Sequence, residues 1–271
     1  MGTPQEDVMF EAADGARLSG WWVASPGART VVLLGHGYSL NRSELAPVAW
    51  RLWTHGCACL LFDFRRHGRS GGKRTGFGYW ERQDWAAAAR FARDRMPDAR
   101  IVLLGNSMGA AAAAFALAEN SALADALILD SAYGKLTPAI QGFWRFFGGR
   151  WLEILLAPMP YLAWWMLGFN PFRVDVAKAL EKVTTPVLLL HGDADVVATP
   201  EEARRNAAAC GARIEWFAGC DHSEGRWRDP RRYESAVLGF LRDHEFVFAQ
   251  PEDSEPKGAR GESLPSGDRS S

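Results

Sequence analysis

The stretch RIVLLGNSMGAAAAAFALAE, residues 100–119, changes character in its middle: an apolar run gives way, across Gly105-Asn106-Ser107-Met108-Gly109, to an alanine-rich run. A short, unbroken apolar run predicts a strand buried on both faces, and the alanines predict a helix packed closely against it. The five residues between them fit G-x-S-x-G. In a strand–turn–helix setting this pattern forces the serine into strained backbone geometry, and glycine on either side lets helix approach strand without a Cβ clash. The Ser107 hydroxyl is then held outward at a helix N-terminus, where N–H groups and the helix dipole favour developing negative charge. Alone, the five letters also describe a glycine-flanked N-cap serine. The setting favours a nucleophile.

Outward from this segment, apolar runs alternate with amphipathic ones. An opening antiparallel pair, 7–13 and 17–24, turns at Asp14-Gly15, and the strands TVVLLG (30–35) and CACLLFDF (57–64) follow. Downstream come DALILD (125–130), PVLLLHG (186–192) and RIEWFAG (213–219). Helices are expected near 43–55, 81–95, 108–119, 200–210 and 230–245. Short apolar strands joined by such crossovers predict an α/β fold, a mostly parallel central sheet with helices on both faces. One domain is expected over residues 1–250, with an insertion at about 131–183. The tail PEDSEPKGARGESLPSGDRSS, 251–271, has no aromatic residue and too little apolar surface to offset the entropy of ordering, so it is expected to be disordered.

Composition narrows the function classes. The chain has 271 residues, 48% of them apolar and 23% charged, with a formal net charge of −1. That balance offers no broad attraction for nucleic acid, which is excluded as a partner. The start, MGTPQEDVMFEAADG, shows no basic region followed by an apolar run, which points to a cytoplasmic protein. Met1-Gly2-Thr3 opens like a myristoylation signal, but Glu6 stands where Ser or Thr is wanted. Cys57, Cys59, Cys210 and Cys220 match neither a zinc site nor a disulfide framework, so reduced, structural cysteines are expected and no metal is implied.

A serine hydroxyl needs a general base, and the base needs a group to orient it. His191-Gly192-Asp193-Ala194-Asp195 ends an apolar strand and offers an acid at the carboxyl edge of the sheet. His222, in the polar loop Gly219-Cys220-Asp221-His222-Ser223, offers the base, since its ordinary pKa of ~6.5 suits both accepting and returning a proton. The order Ser107, acid, His222 is the one found in α/β hydrolases. The residues alone leave Asp193 and Asp195 both open as the acid.

On these segments, from about residue 8 to 245, the chain resembles the α/β-hydrolase superfamily, and within it serine hydrolases such as monoacylglycerol lipases and serine aminopeptidase S33-type esterases. The resemblance implies the α/β-hydrolase fold, with Asp195, the last residue of H-G-x-x-D, as the acid and Asp193 as a loop support. It also implies that His36-Gly37-Tyr38 forms an oxyanion loop, in which the N–H groups of Tyr38 and Met108 hold the developing oxyanion. Asp63-Phe64-Arg65-Arg66-His67-Gly68-Arg69-Ser70 resembles the D-x-R-x-x-G-x-S turn of many members and reads as scaffold. His36, His55, His67, His191 and His244 are expected in structural or surface roles.

In such proteins an insertion after the fourth parallel strand forms a cap. Its centre here, ILLAPMPYLAWWMLGF (154–169), carries no charge. It is shorter than the ~20 residues of a membrane span, and Pro158 and Pro160 interrupt any helix, so a buried or interfacial lid is expected. Its aromatic content leaves open a peripheral membrane contact. An apolar cap over a serine triad points to hydrolysis of a small-molecule or lipid-like carboxylic ester with an apolar acyl or alcohol part, without cofactor. A peptidase or thioesterase on the same triad, and a non-catalytic, membrane-associated scaffold, are the alternatives.

Overall fold

A computed structural model describes residues 5–246. The tail expected at 251–271, and the last residues assigned to the domain, lie outside the described residues. The chain runs β1 (Gln5–Glu11), β2 (Arg17–Val23), β3 (Thr30–Gly35), α1 (Ala46–Thr54), β4 (Ala58–Phe62), α2 (Arg82–Arg95), β5 (Arg100–Asn106), α3 (Met108–Glu119) and β6 (Ala126–Asp130). It continues through α4 (Leu136–Leu156), α5 (Met159–Leu167), α6 (Val176–Leu180), β7 (Val187–Gly192), α7 (Pro200–Cys210), β8 (Arg213–Phe217), α8 (Gly225–Arg228) and α9 (Pro230–Asp243). The eight strands form one sheet in the order β1-β2-β4-β3-β5-β6-β7-β8. The β1–β2 and β2–β4 pairs are antiparallel and the others parallel. This is the α/β-hydrolase fold.

The two-residue period of the strands sorts the core into two layers. Val31, Leu33, Ile101 and Leu103 face one way, onto Trp85 and Ala88 of α2, the alanines of α3 and Leu180 of α6. Val32, Leu34, Val102 and Leu104 face the other way, onto Val48 and Leu52 of α1 and Val237 and Leu241 of α9. With both faces covered, β3 is buried throughout and β5 from Ile101 onward, as their apolar runs require.

The turn after β4 is held by its own polar groups. Asp63 accepts from the N–H groups of Arg42 and Arg69, both at 2.8 Å, and Arg65 closes on buried Asp84 at 2.7 Å. In the insertion, α4 extends over 21 residues, with non-helical backbone at Gly149 (φ 69°, ψ −172°). The prolines do not break a helix from within: Pro158 caps α5 and Pro160 sits in its first turn, where a missing N–H costs no hydrogen bond. The short helices α6 and α8 have too few residues to show a period and were not legible as helices.

The β5–α3 junction fixes the geometry of everything around Ser107. A Cβ on Gly105 would lie 2.5 Å from Ala110 N, and one on Gly109 would collide with the Gly35 carbonyl oxygen. Gly109→Ala is therefore expected to destabilise the fold by about 2 kcal/mol or more, because backbone on both sides must move. In α9 a Cβ on Gly239 meets nothing, so Gly239→Ala should stabilise by up to ~1 kcal/mol. Urea unfolding midpoints of the two variants should move in opposite directions.

Candidate active site

Ser107 links β5 to α3 with φ 49° and ψ −111°, a left-handed conformation that a non-glycine residue adopts only when its surroundings impose it. Three bonds impose it. Ser107 N–H donates to the Asp130 carbonyl at 2.8 Å, Ala111 N–H donates to the Ser107 carbonyl at 3.1 Å, and the Trp85 indole N–H donates to the Gly109 carbonyl at 3.0 Å. Ser39, Ser131 and Ser223, on neighbouring loops at the carboxyl edge of the sheet, also have positive φ.

At this edge the chain brings together three residues far apart in sequence. Ser107 Oγ lies 2.8 Å from His222 Nε2, and His222 Nδ1 lies 2.8 Å from Asp195 Oδ2. Asp195 is buried, and its other oxygen accepts from the N–H groups of Val197 and Ala198, each at 2.8 Å. Those bonds spend the carboxylate's outer lone pairs on its own loop and aim the inner oxygen at the histidine. Asp193 instead accepts from Gly219 N–H at 2.6 Å, which ties the acid loop to the histidine loop.

Met108 opens α3, so its N–H has no intrahelical acceptor. The peptide groups flanking Tyr38 are both clamped: Gly37 N–H donates to Glu44 Oε2 at 2.7 Å and Ser39 N–H to His67 Nε2 at 3.2 Å. Behind this loop His36 accepts from Phe64 N–H at 3.0 Å through Nε2, which places its proton on Nδ1, donated to the Gly37 carbonyl at 2.7 Å. Burial pulls the His36 pKa down to about 4, so the ring is neutral. His191 is also buried and donates to the Ala198 carbonyl at 2.7 Å; its pKa is lowered by burial.

Beneath these loops lies a buried polar network that the sequence reading missed. Arg226 of α8 donates to Asn106 Oδ1 at 3.0 Å and Asp130 Oδ2 at 3.1 Å, and also pairs with Glu44. Asn106 donates to Glu44 at 2.6 Å and accepts from Ser223 Oγ–H at 2.8 Å, while Tyr233 donates to Asp130 at 3.1 Å. Burial pushes the Glu44 pKa up against the pull of Arg226 and the Gly37 N–H. For Arg226 burial works toward neutrality, but Asp130 and Glu44 outweigh it and hold the guanidinium charged. The network joins the loop after β3, the residue before Ser107 and the residue after His222. No local pattern marks Glu44 or Arg226; only Asn106 sits inside a motif, at one of its variable positions.

The insertion closes over the same edge. Gly142 of α4 packs where a Cβ would lie 2.7 Å from the Val196 carbonyl oxygen, next to Asp195. Phe143, one residue on, has its ring 6.3 Å from that of Tyr38, which stacks at 4.5 Å on Phe77.

The chain is similar to a known family and to several known proteins. The family described as serine aminopeptidase, S33 (Hydrolase_4) matches residues 26–170. An uncharacterised protein of Mycobacterium tuberculosis is 29% identical over 248 residues, 87% of this chain and 78% of its own length. A monoacylglycerol lipase of Mycolicibacterium smegmatis is 27% identical over 183 residues, 67% of this chain and 55% of the lipase. An esterase of Pyrococcus furiosus superposes with a TM-score of 0.73 at 27% identity, covering 89% of this chain and 93% of the esterase.

Two measurements probe the supports of the site. Arg226→Met leaves Glu44 and Asp130 buried without their cation, and urea unfolding should show a loss of about 3–5 kcal/mol. His36 should make stability fall on acidification, because the unfolded chain takes up a proton near pH 6.5 while the folded ring resists until about pH 4. The loss, up to ~1.4 kcal/mol per pH unit in that window, should be absent below it. His36→Gln removes this contribution, so the stability gap between wild type and variant should narrow from about pH 7 to pH 5.

Proposed function

This chain belongs to the serine aminopeptidase S33 family of α/β hydrolases, and from that premise we infer that it cleaves a carboxylic ester through an acyl-enzyme on Ser107. The observation that carries the reading is the relay Ser107–His222–Asp195, with 2.8 Å at each step and the serine on a left-handed elbow. His222 Nε2 takes the Ser107 proton as Oγ attacks the substrate carbonyl, and Asp195 orients the ring and stabilises the imidazolium. The N–H groups of Tyr38 and Met108 receive the oxyanion, a contribution of ~2.7–4 kcal/mol per donor in comparable sites. His222 then protonates the departing alcohol. Water, deprotonated by the same nitrogen, attacks the acyl-enzyme and releases the acid, restoring the serine.

The substrate class follows from the walls. Tyr38, on the loop after β3, has its ring 4.5 Å from that of Phe77 and 6.3 Å from that of Phe143, and aromatic surface of this kind suits an apolar acyl or alcohol part. The esterase and monoacylglycerol lipase among the similar proteins support ester chemistry, whereas the family description allows an aminopeptidase.

A fluorophosphonate probe should label the wild type and leave Ser107→Ala unlabelled; equal labelling of both would refute the nucleophile. Asp195→Asn should lower kcat ~10⁴-fold, since it removes the group that fixes the tautomer. In a panel of aryl esters of graded acyl length, aminoacyl anilides and acyl thioesters, kcat/KM should be highest for a medium or long acyl ester. A higher value for anilides or thioesters would replace the ester reading with the peptidase or thioesterase one.

A further inference from the structure

Of the sixteen large apolar side chains exposed among the described residues, eleven lie between Phe146 and Phe172. Trp165 is 85% exposed, Tyr161 68%, Phe147 and Trp151 67% and Ile154 65%. The first turns of α4 meet the rest of the molecule through Leu136, Ala139, Ile140, Gly142 and Phe143, whereas its later turns and α5 turn aromatic and aliphatic side chains toward solvent. Isolated exposed apolar residues are ordinary on a protein surface, but a contiguous run of them marks an interaction face.

The charges around this face identify its occupant. From Lys135 to Arg173 the chain carries four basic residues, Lys135, Arg145, Arg150 and Arg173, all exposed, against one acidic residue, Glu153. Glu153 pairs with Arg145 at 2.7 Å. This excess stands out in a chain whose net charge is −1. At the end of α5, Arg74 adds another cation; its guanidinium lies 3.7 Å above the Trp80 ring, and its Nη1 is 2.9 Å from where a Cβ on Gly168 would stand. Tryptophan and tyrosine settle at the headgroup level of a bilayer, and arginine beside them meets anionic headgroups. Among the described residues no helix is long and apolar enough to cross a membrane, so these helices can lie on a bilayer but not span it.

The face is also continuous with the site. The Phe146 and Phe147 rings are 5.2 Å apart, Phe147 and Phe143 4.6 Å, and Phe143 and Tyr38 6.3 Å, an aromatic path from the exposed surface to the loop beside Ser107. We propose that the outer face of α4 and α5 docks on an anionic lipid bilayer, with α5 in the interface and the Phe147–Phe143 path admitting acyl chains to the site. Admission of substrate rests on the ester reading; docking does not.

Co-sedimentation of the full chain with vesicles of phosphatidylcholine, with and without phosphatidylglycerol, tests the docking directly. Binding is expected to the mixed vesicles, to weaken as salt screens the arginines, and to fall ~10-fold or more in the Phe147→Ser, Trp164→Ser, Trp165→Ser triple variant. All three side chains are exposed, so the thermal midpoint should be unchanged. The pair Arg150→Glu, Arg173→Glu provides an independent arm: it should lose binding to the mixed vesicles while leaving the apolar face intact. Ser107→Ala should bind as the wild type does, which separates failure of the ester reading from failure of docking. The proposal is overturned if the wild type does not sediment with either vesicle, or if both surface variants bind undiminished. It is equally overturned if ultracentrifugation finds a dimer that the triple variant dissociates and vesicles compete for nothing, for then a second copy covers the face.

Discussion

The close approach of α3 to β5 at Ser107 is the constraint on which the rest of the site depends. A parallel strand feeding directly into a helix leaves one residue to absorb the change in direction, and here Ser107 does so with a left-handed backbone. Such a conformation costs of order 1–3 kcal/mol and persists only where neighbours over-determine it. Gly105 and Gly109 remove the atoms that would hold the two elements apart, and the Asp130 carbonyl captures the serine N–H. The serine Cα–Cβ bond is consequently aimed by backbone geometry, and its hydroxyl meets His222 Nε2 at 2.8 Å.

A serine placed so firmly meets His222 and Asp195 only if they are placed equally well, and they come from loops, which in folds generally are the more mobile parts. Arg226 addresses this by gathering Glu44, Asn106 and Asp130 around one guanidinium. A buried ion pair is weak as a source of stability because desolvation offsets attraction, but it is strict about geometry. Displacing the loop after β3, the elbow or the histidine loop would strand a charge in the interior. The network thereby ties the three loops together as one floor, and the bond from Gly37 N–H to Glu44 extends it to the residue before Tyr38.

Legibility in the sequence followed the range of the interactions. The strands, the helices that cover the sheet and the strand–helix turn at Ser107 were readable because their determinants are local: an apolar period, flanking glycines, a run of alanines. The order of Ser107, Asp195 and His222 was readable for the same reason, since each ends or follows a strand. Residue type does not choose between Asp193 and Asp195, because both are two-atom acceptors on one turn; in the structure Asp195 Oδ2 lies 2.8 Å from His222 Nδ1, whereas Asp193 accepts from Gly219 N–H. The Arg226 network was invisible because its bonds join residues 62, 96, 120 and 182 positions apart, and no spacing rule spans such distances. In the insertion, composition pointed to an apolar lid but not to which side chains would remain exposed, since that depends on how few of them reach the body of the fold.

Floor and roof therefore differ in physical kind. The floor is polar and buried, with its central guanidinium bonded through both terminal nitrogens, so substitutions in it act through stability and alignment together. The roof attaches at its two ends, through Leu136, Ala139 and Gly142 of α4, the last set against the loop of Asp195, and through buried Phe169, whose ring stacks on Tyr79. Beyond them, its side chains make few commitments to the rest of the molecule. Changes on α5 can accordingly alter what meets the protein, and what enters it, without disturbing the hydrogen bonds that align Ser107 with His222. A polar floor beneath a sparsely attached apolar roof separates the chemistry from the choice of substrate, so that either can vary while the other is held fixed.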